Sequence, residues 1–182
     1  MIAKEADKVI QQFLKNIRVY WQVVFLVGIL CYGLTLLYRL DTHTAVRTLP
    51  YLKILNIITF LVAITLAIFI FHQKRKYFHL RAFRTMIEDI CKKEPEFREK
   101  QVIRQFTREI GTRLKRGWLM GCAIILLGVI YYWLTYDAWD MHIYFIVGLY
   151  SLAINYPRKD LFLDVPYLVH ESLKPDNPEN KP

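Results

Sequence analysis

Charge is missing from four long stretches of this chain: Val19–Tyr38, Ile54–Phe71, Gly117–Tyr136 and Met141–Tyr156. A helix that is apolar all round is unsuited to the surface of a water-soluble domain. About 17–25 apolar residues cross a bilayer core of roughly 30 Å, and the first three stretches meet that length. The fourth is the shortest, and Pro157 closes it. These stretches point to an integral membrane protein. Proton-coupled carriers mark their route with buried carboxylates, histidines or arginines. No charged residue lies well inside any of the four stretches, which argues against that class and leaves open a channel lined by backbone or hydroxyl groups.

Cysteine is scarce as well. Cys31, Cys91 and Cys122 have no spacing that suggests a zinc ribbon or a redox pair, so reduced packing thiols are expected. There is no glycine-rich phosphate loop, no His-Glu-x-x-His and no convincing Ser–His–Asp set, which points away from an enzyme. The first apolar stretch is too long for a signal h-region and lacks a small-residue cleavage pattern after it, so a cleaved leader is not expected.

What is present is basic charge, set apart from the apolar residues. The 182 residues are 54% hydrophobic, with a mean hydropathy of +0.20, yet carry a formal charge of +9. Residues 1–18 hold four basic residues, residues 73–117 hold fourteen, and the tail after Tyr156 holds four. The first outer connection has Arg39, Arg47 and Lys53, and the second has none. Basic residues beside spans stay cytoplasmic. The pattern predicts an all-α protein with a four-transmembrane-helix bundle and both termini in the cytoplasm.

The chain also repeats itself. Val9, Ile10, Gln12, Phe13, Lys15 and Ile17 return in kind and spacing as Val102, Ile103, Gln105, Phe106, Arg108 and Ile110. Each copy runs into a tryptophan (Trp21, Trp118), an apolar stretch and an Asp-x-His triplet, and each half ends on a basic pair. A parallel 2+2 internal repeat follows. Its segments are an amphipathic cytoplasmic or interfacial helix over 1–18, a transmembrane hairpin over 19–72, a cytoplasmic helical hairpin over 73–117, a second transmembrane hairpin over 118–157 and a cytoplasmic tail over 158–182.

Residues 73–117 carry fourteen basic and six acidic residues, but their apolar positions are periodic. Leu80, Phe83, Ile87 and Ile90 fall at helical spacing, and so do Ile103, Phe106, Ile110 and Leu114. Pro95 marks the start of a new helix. The second and third spans are therefore expected to continue inward as straight helices and pair antiparallel, with Phe83 and Ile87 against Phe106 and Ile110. The stripe Ile2, Ala6, Val9, Phe13 and Ile17 is expected to pack on that hairpin in preference to lying on anionic lipid headgroups. Residues 161–169 either lie on the membrane surface or cover the hairpin. The positive-inside rule accounts for most of the basic charge, and with no binding module recognisable, nucleic acid is not an expected partner.

Small residues line up inside the spans. Gly117, Gly121 and Gly128 share one face of the third, Ala63 and Ala67 share a face with Asn56 in the second, and Gly148, Ser151 and Asn155 cluster in the fourth. Helices in lipid associate through such close approaches. The glycines are read as bundle packing or as a seam for another membrane protein or a second copy, with Asn56 and Asn155 as interhelical hydrogen-bond donors. Tyr20, Trp21, Tyr131, Tyr132, Trp133, Tyr136, Trp139 and Tyr144 read as aromatic belts at the span ends. His72 and His79, seven residues apart, read as structural.

One set of residues suggests a ligand. Asp41, His43, Asp140 and His142 form two Asp-x-His triplets on the outer side. Two imidazoles with two carboxylates suit zinc or another divalent metal, and two histidines at one depth can bracket a haem iron. Helix capping is the competing role for Asp137 and Asp140. The leading functional expectation is a non-enzymatic accessory or scaffold subunit of a membrane complex. A small oligomeric channel or transporter comes next, then a metal or redox protein.

Overall fold

The computed structural model describes residues 2–42 and 50–173, with side chains from Asp7 onward. Its α-helices are α1 (Ile2–Thr42), α2 (Leu52–Tyr77), α3 (Leu80–Lys93), α4 (Glu99–Thr135), α5 (Ala138–Ile154) and α6 (Val165–Leu173), with a 3-10 helix at Lys159–Phe162. No strand occurs among the described residues. The Asp7–Thr42 part of α1, all of α2 and all of α4 are long and apolar enough to cross a membrane, and α5 is a shorter apolar helix. These are the marks of a multi-pass membrane protein.

Two compact units divide the chain. A charged unit takes the described residues up to Arg18, Arg75–Arg113 and the residues from Pro157 on, and an apolar unit takes Val19–Lys74 and Leu114–Tyr156.

Among the described residues, the charged unit has its own core of fourteen buried residues, drawn from α1, α3, α4, the 3-10 helix and α6. Phe83, Ile87, Phe106 and Ile110 are all buried in it, and the Phe83 and Phe106 rings meet edge to face at 5.2 Å. The stripes differ from expectation in detail. Leu80 is 52% exposed and Met86 takes its place in the core. On α1 the buried positions are Ile10, Leu14 and Ile17, with Val9 and Phe13 at the margin, so the buried face is turned by about one residue. Phe13 and Ile17 both lie against Gly111, where a Cβ would come within 3.0 Å of the Phe13 ring. The N-terminal helix does pack on α4. Phe162, Val165, Leu168 and Val169 also enter the core, so this segment covers the helices.

Two expectations about backbone fail here. The second apolar helix does not run straight into the hairpin: helical backbone stops at Phe78–His79, where His79 is extended with φ −142°. Phase explains the break. In one unbroken helix, at about 100° per residue, Phe83 and Ile90 would lie roughly 200–220° round from Ile70, away from the face that α2 buries. A break frees the α3 stripe from the phase that α2 would otherwise impose on it. His79 thus sits in the break, while His72 lies within α2. Pro95 is likewise in the turn and not in the first turn of α4, which begins four residues later at Glu99. Gln101 Oε1 accepts from Arg98 N at 2.8 Å, the backward arm of a capping box, and starts α4 without proline.

In the apolar unit, α4 and α5 are joined by Tyr136 and Asp137 alone and run antiparallel. Tyr136 takes φ 57°, and Asp137 caps α5 by accepting from Trp139 N at 2.9 Å. α2 lays Ala63 and Ile70 against Ile124, Tyr131 and Tyr144. α1 brings Gly28 onto Ile125 and stacks Tyr32 on Phe145 at 3.8 Å.

Candidate functional site

Asp140 and His142 go to separate partners. Asp140, in the first turn of α5, accepts from Asn56 Nδ2 of α2 at 3.1 Å. His142, half a turn on, meets Tyr32 Oη through Nδ1 at 2.8 Å and Arg39 through Nε2 at 3.4 Å, both on α1. Arg39 can only donate, so Nε2 accepts and the Nδ1 proton goes to Tyr32. Both ring nitrogens are thus engaged by side chains of α1. Asp41 is exposed near the end of α1, and His43 lies outside the described residues. Among the described residues no three His, Cys, Asp or Glu side chains gather as metal ligands. What the described part does is mechanical: one turn of α5 is held to α2 through Asp140 and to α1 through His142.

The glycine face is filled by the chain itself. A Cβ on Gly128 would lie 2.6 Å from Tyr144 Cβ, and one on Gly121 would lie 3.2 Å from the Leu152 side chain. Gly148 faces back from α5, 2.5 Å from Ile125 and 2.8 Å from the Gly121 carbonyl. Gly117 is looser, with Asn155 Nδ2 at 4.0 Å. All four glycines are buried, and this face packs α4 on α5. Phe83, Ile87, Phe106 and Ile110 are buried as well, between 0% and 1% exposed.

Of the two asparagines, only Asn56 donates between helices. Asn155 Nδ2 turns back to Ser151 O in its own helix at 3.0 Å. Its backbone carbonyl takes the interhelical bond instead, from Trp118 Nε1 at 2.9 Å, and Leu152 O accepts from Trp21 Nε1 at 3.1 Å. The two repeated tryptophans thus serve carbonyls at the end of α5, which have no partner in the helix itself. Their positions in the repeat were visible in the sequence, but nothing there named the acceptor. The aromatic belt is correspondingly thinner than expected. Tyr131, Tyr132 and Tyr144 are buried between helices, while Trp133 and Trp139 are exposed.

The thiols are free, and Cys91 is half-buried at the edge of the charged unit's core. Burial pushes its thiol above the ordinary range, and the charge of Glu88 adds to the effect. The chain matches no protein family, no curated protein and no solved structure.

Proposed function

We propose that the chain crosses the membrane four times, through α1, α2, α4 and α5, with the charged unit and both termini in the cytoplasm. On this reading it is an accessory or scaffold subunit of a membrane complex, made from two parallel halves. α5 is short for a span, at 17 residues or roughly 25 Å of rise, but Tyr156 extends its uncharged stretch. The observation that carries the reading is the closed core of the charged unit. A connection between spans needs no fourteen-residue core assembled from five helical pieces. A platform presented to another protein does, because fixed side-chain positions lower the ordering cost of binding.

The partner would meet the exterior of that unit, since the periodic stripe and the glycine face are both spent inside the chain. Arg81, Lys92 and Arg108 are exposed there. Affinity capture of the tagged protein from its native membrane, in mild detergent, should yield a stoichiometric partner that Arg81→Glu with Arg108→Glu removes while thermal stability is kept. Recovery of the chain alone at monomer mass, under conditions that preserve other complexes of that membrane, would refute the subunit role. Recovery as a homo-oligomer would favour the channel reading.

A further inference from the structure

We propose that the charged unit holds the headgroup of an ethanolamine phospholipid in a groove between α3 and α4. The groove measures about 440 Å³ and takes in Tyr77 and His79 at the break that follows α2. Lys76, Arg81 and Arg113 line it together with the carboxylates of Asp89 and Glu109. Both signs of charge are built into one surface, and a ligand that answers it carries both signs as well.

The cationic end is organised around an aromatic ring. The Arg113 guanidinium lies over Tyr77, 3.8 Å from the ring centroid, and Lys76 Nζ lies 5.3 Å from the same centroid. Stacking occupies a face of the guanidinium and leaves the N–H groups along its edge to donate. A phosphodiester, whose charge is shared by two oxygens, matches that planar fork. Position in the chain puts this end at phosphate depth. Lys76 lies five residues past Phe71, which closes one uncharged stretch, and Arg113 lies four before Gly117, which opens the next. These intervals are roughly 6–8 Å of helix, against a headgroup layer of about 5–7 Å on each side of the hydrocarbon.

The acids select among phospholipids. Glu109 is one turn from Arg113 on α4, roughly 5–6 Å away at Cβ. A phosphate and an ammonium joined by two carbons span a similar distance. Glu109 Oε1 accepts from Gln105 Nε2 at 3.2 Å, and a carboxylate has about four lone-pair sites, so capacity remains for an ammonium. Ethanolamine supplies three N–H donors there, and the quaternary nitrogen of choline supplies none. Glycerol brings no cation, and serine adds a carboxylate that Glu109 and Asp89 repel. Asp89 and Lys93, one turn apart farther along α3, keep the rest of the groove near neutral. The inference rests on α2 and α4 crossing the membrane, and not on the subunit role.

The test uses the full-length chain in neutral detergent. Native mass spectrometry reads the lipid bound after addition of phosphatidylethanolamine, phosphatidylcholine or phosphatidylglycerol with the same acyl chains. Phosphatidylethanolamine should occupy one site per chain, at least about tenfold more tightly than either of the others. Lys76→Gln with Arg81→Gln should weaken it by at least about tenfold, while Lys92→Gln with Arg108→Gln, an equal loss of charge outside the groove, should change it less than about threefold. Glu109→Gln keeps an acceptor for Gln105 and should bring phosphatidylethanolamine to within about threefold of phosphatidylcholine. Lys76 and Arg81 are exposed, so folding should survive; if that pair unfolds the protein, Glu109→Gln alone decides. Equal affinity for the three lipids, tighter binding of phosphatidylglycerol, equal losses from the groove and control pairs, or an intact preference in Glu109→Gln would overturn the proposal. So would soluble glycerophosphoethanolamine that displaces the lipid at equal concentration, since it shares the headgroup chemistry without the bilayer. Binding in detergent does not depend on how often the chain crosses a membrane. Failure here therefore leaves the four-span reading intact, and failure of that reading appears instead as thiol labelling on the wrong side.

Discussion

Glycine does different work at different positions in this chain. At Gly148 a methyl group would meet Ile125 and the Gly121 carbonyl, a backbone atom that cannot swing aside, and at Gly128 it would meet the Cβ of Tyr144. Gly33 has nothing within 4 Å of the same added atom. Gly148→Ala and Gly128→Ala should therefore each lower the melting temperature in detergent, with overpacking costs of about 1–3 kcal/mol. Gly33→Ala should leave it unchanged or raise it, since alanine is favoured over glycine in a helix by roughly 1 kcal/mol. Equal tolerance at all three positions would contradict the packing of α4 on α5. Cys91 makes a second residue-level prediction. Its thiol titrates above the ordinary range, so its thiolate appears later as pH rises. In a chain with Cys31 and Cys122 replaced by serine, alkylation should be slow near neutrality and accelerate at a higher pH than for an unburied thiol, ordinarily about 8.5. Phe106→Ala, which opens the neighbouring core, should move that midpoint down. A midpoint at or below the ordinary value would contradict the burial of Cys91.

Among elements, the informative contrast is between the core of the charged unit and its turn. Phe106 is fully buried against Phe83, so Phe106→Asp places a carboxylate among apolar side chains and should destabilise the unit by several kcal/mol, on the order of about 3–5. Pro95 is exposed in the turn, outside both helices, and Pro95→Ala should cost far less, about 1 kcal/mol or under. Limited proteolysis checks both: Phe106→Asp should speed cleavage throughout α3, and Pro95→Ala should not. The ion pair of Arg84 with Glu171, at 2.6 Å but about half exposed on both sides, is a minor contributor beside that core. Helix positions were legible in the sequence because apolar spacing and uncharged length are local properties. The break at Phe78–His79 was not, since it reconciles two stripes whose partners lie elsewhere in the chain. The one-residue turn of the α1 stripe was hidden for a related reason. Val9 and Ile10 are equally apolar, and only the packed core of the charged unit decides which of the two is buried.

At the scale of the whole molecule, the proposed topology makes a direct prediction. Trp139 is 74% exposed beside the α4–α5 connection, and Lys92 is exposed near the end of α3. In a background without native cysteines, Trp139→Cys should react with an impermeant thiol reagent on intact cells. Lys92→Cys should react only after permeabilisation. Labelling of Lys92→Cys on intact cells would reverse or abolish the four-span arrangement. The three long apolar helices would survive that result, because they rest on length and hydropathy, whereas the orientation rests on the distribution of basic residues.

By itself the sequence determined that this protein is helical, that it has segments able to cross a membrane, and that a charged helical region stands between them. Each is decided by residues near one another in the chain, through helical periodicity and the expense of placing charge in hydrocarbon. The candidate sites were decided only by tertiary structure. Gly121 and Gly128 suited either bundle packing or a partner until α5 covered them, and Trp21 and Trp118 had no acceptor until the end of α5 reached them. His142 matched His43 by pattern, yet the contacts it makes are with Tyr32 and Arg39. What a side chain does depends on which groups share its few ångströms of space, and chain order says little about that once helices of this length fold back on one another.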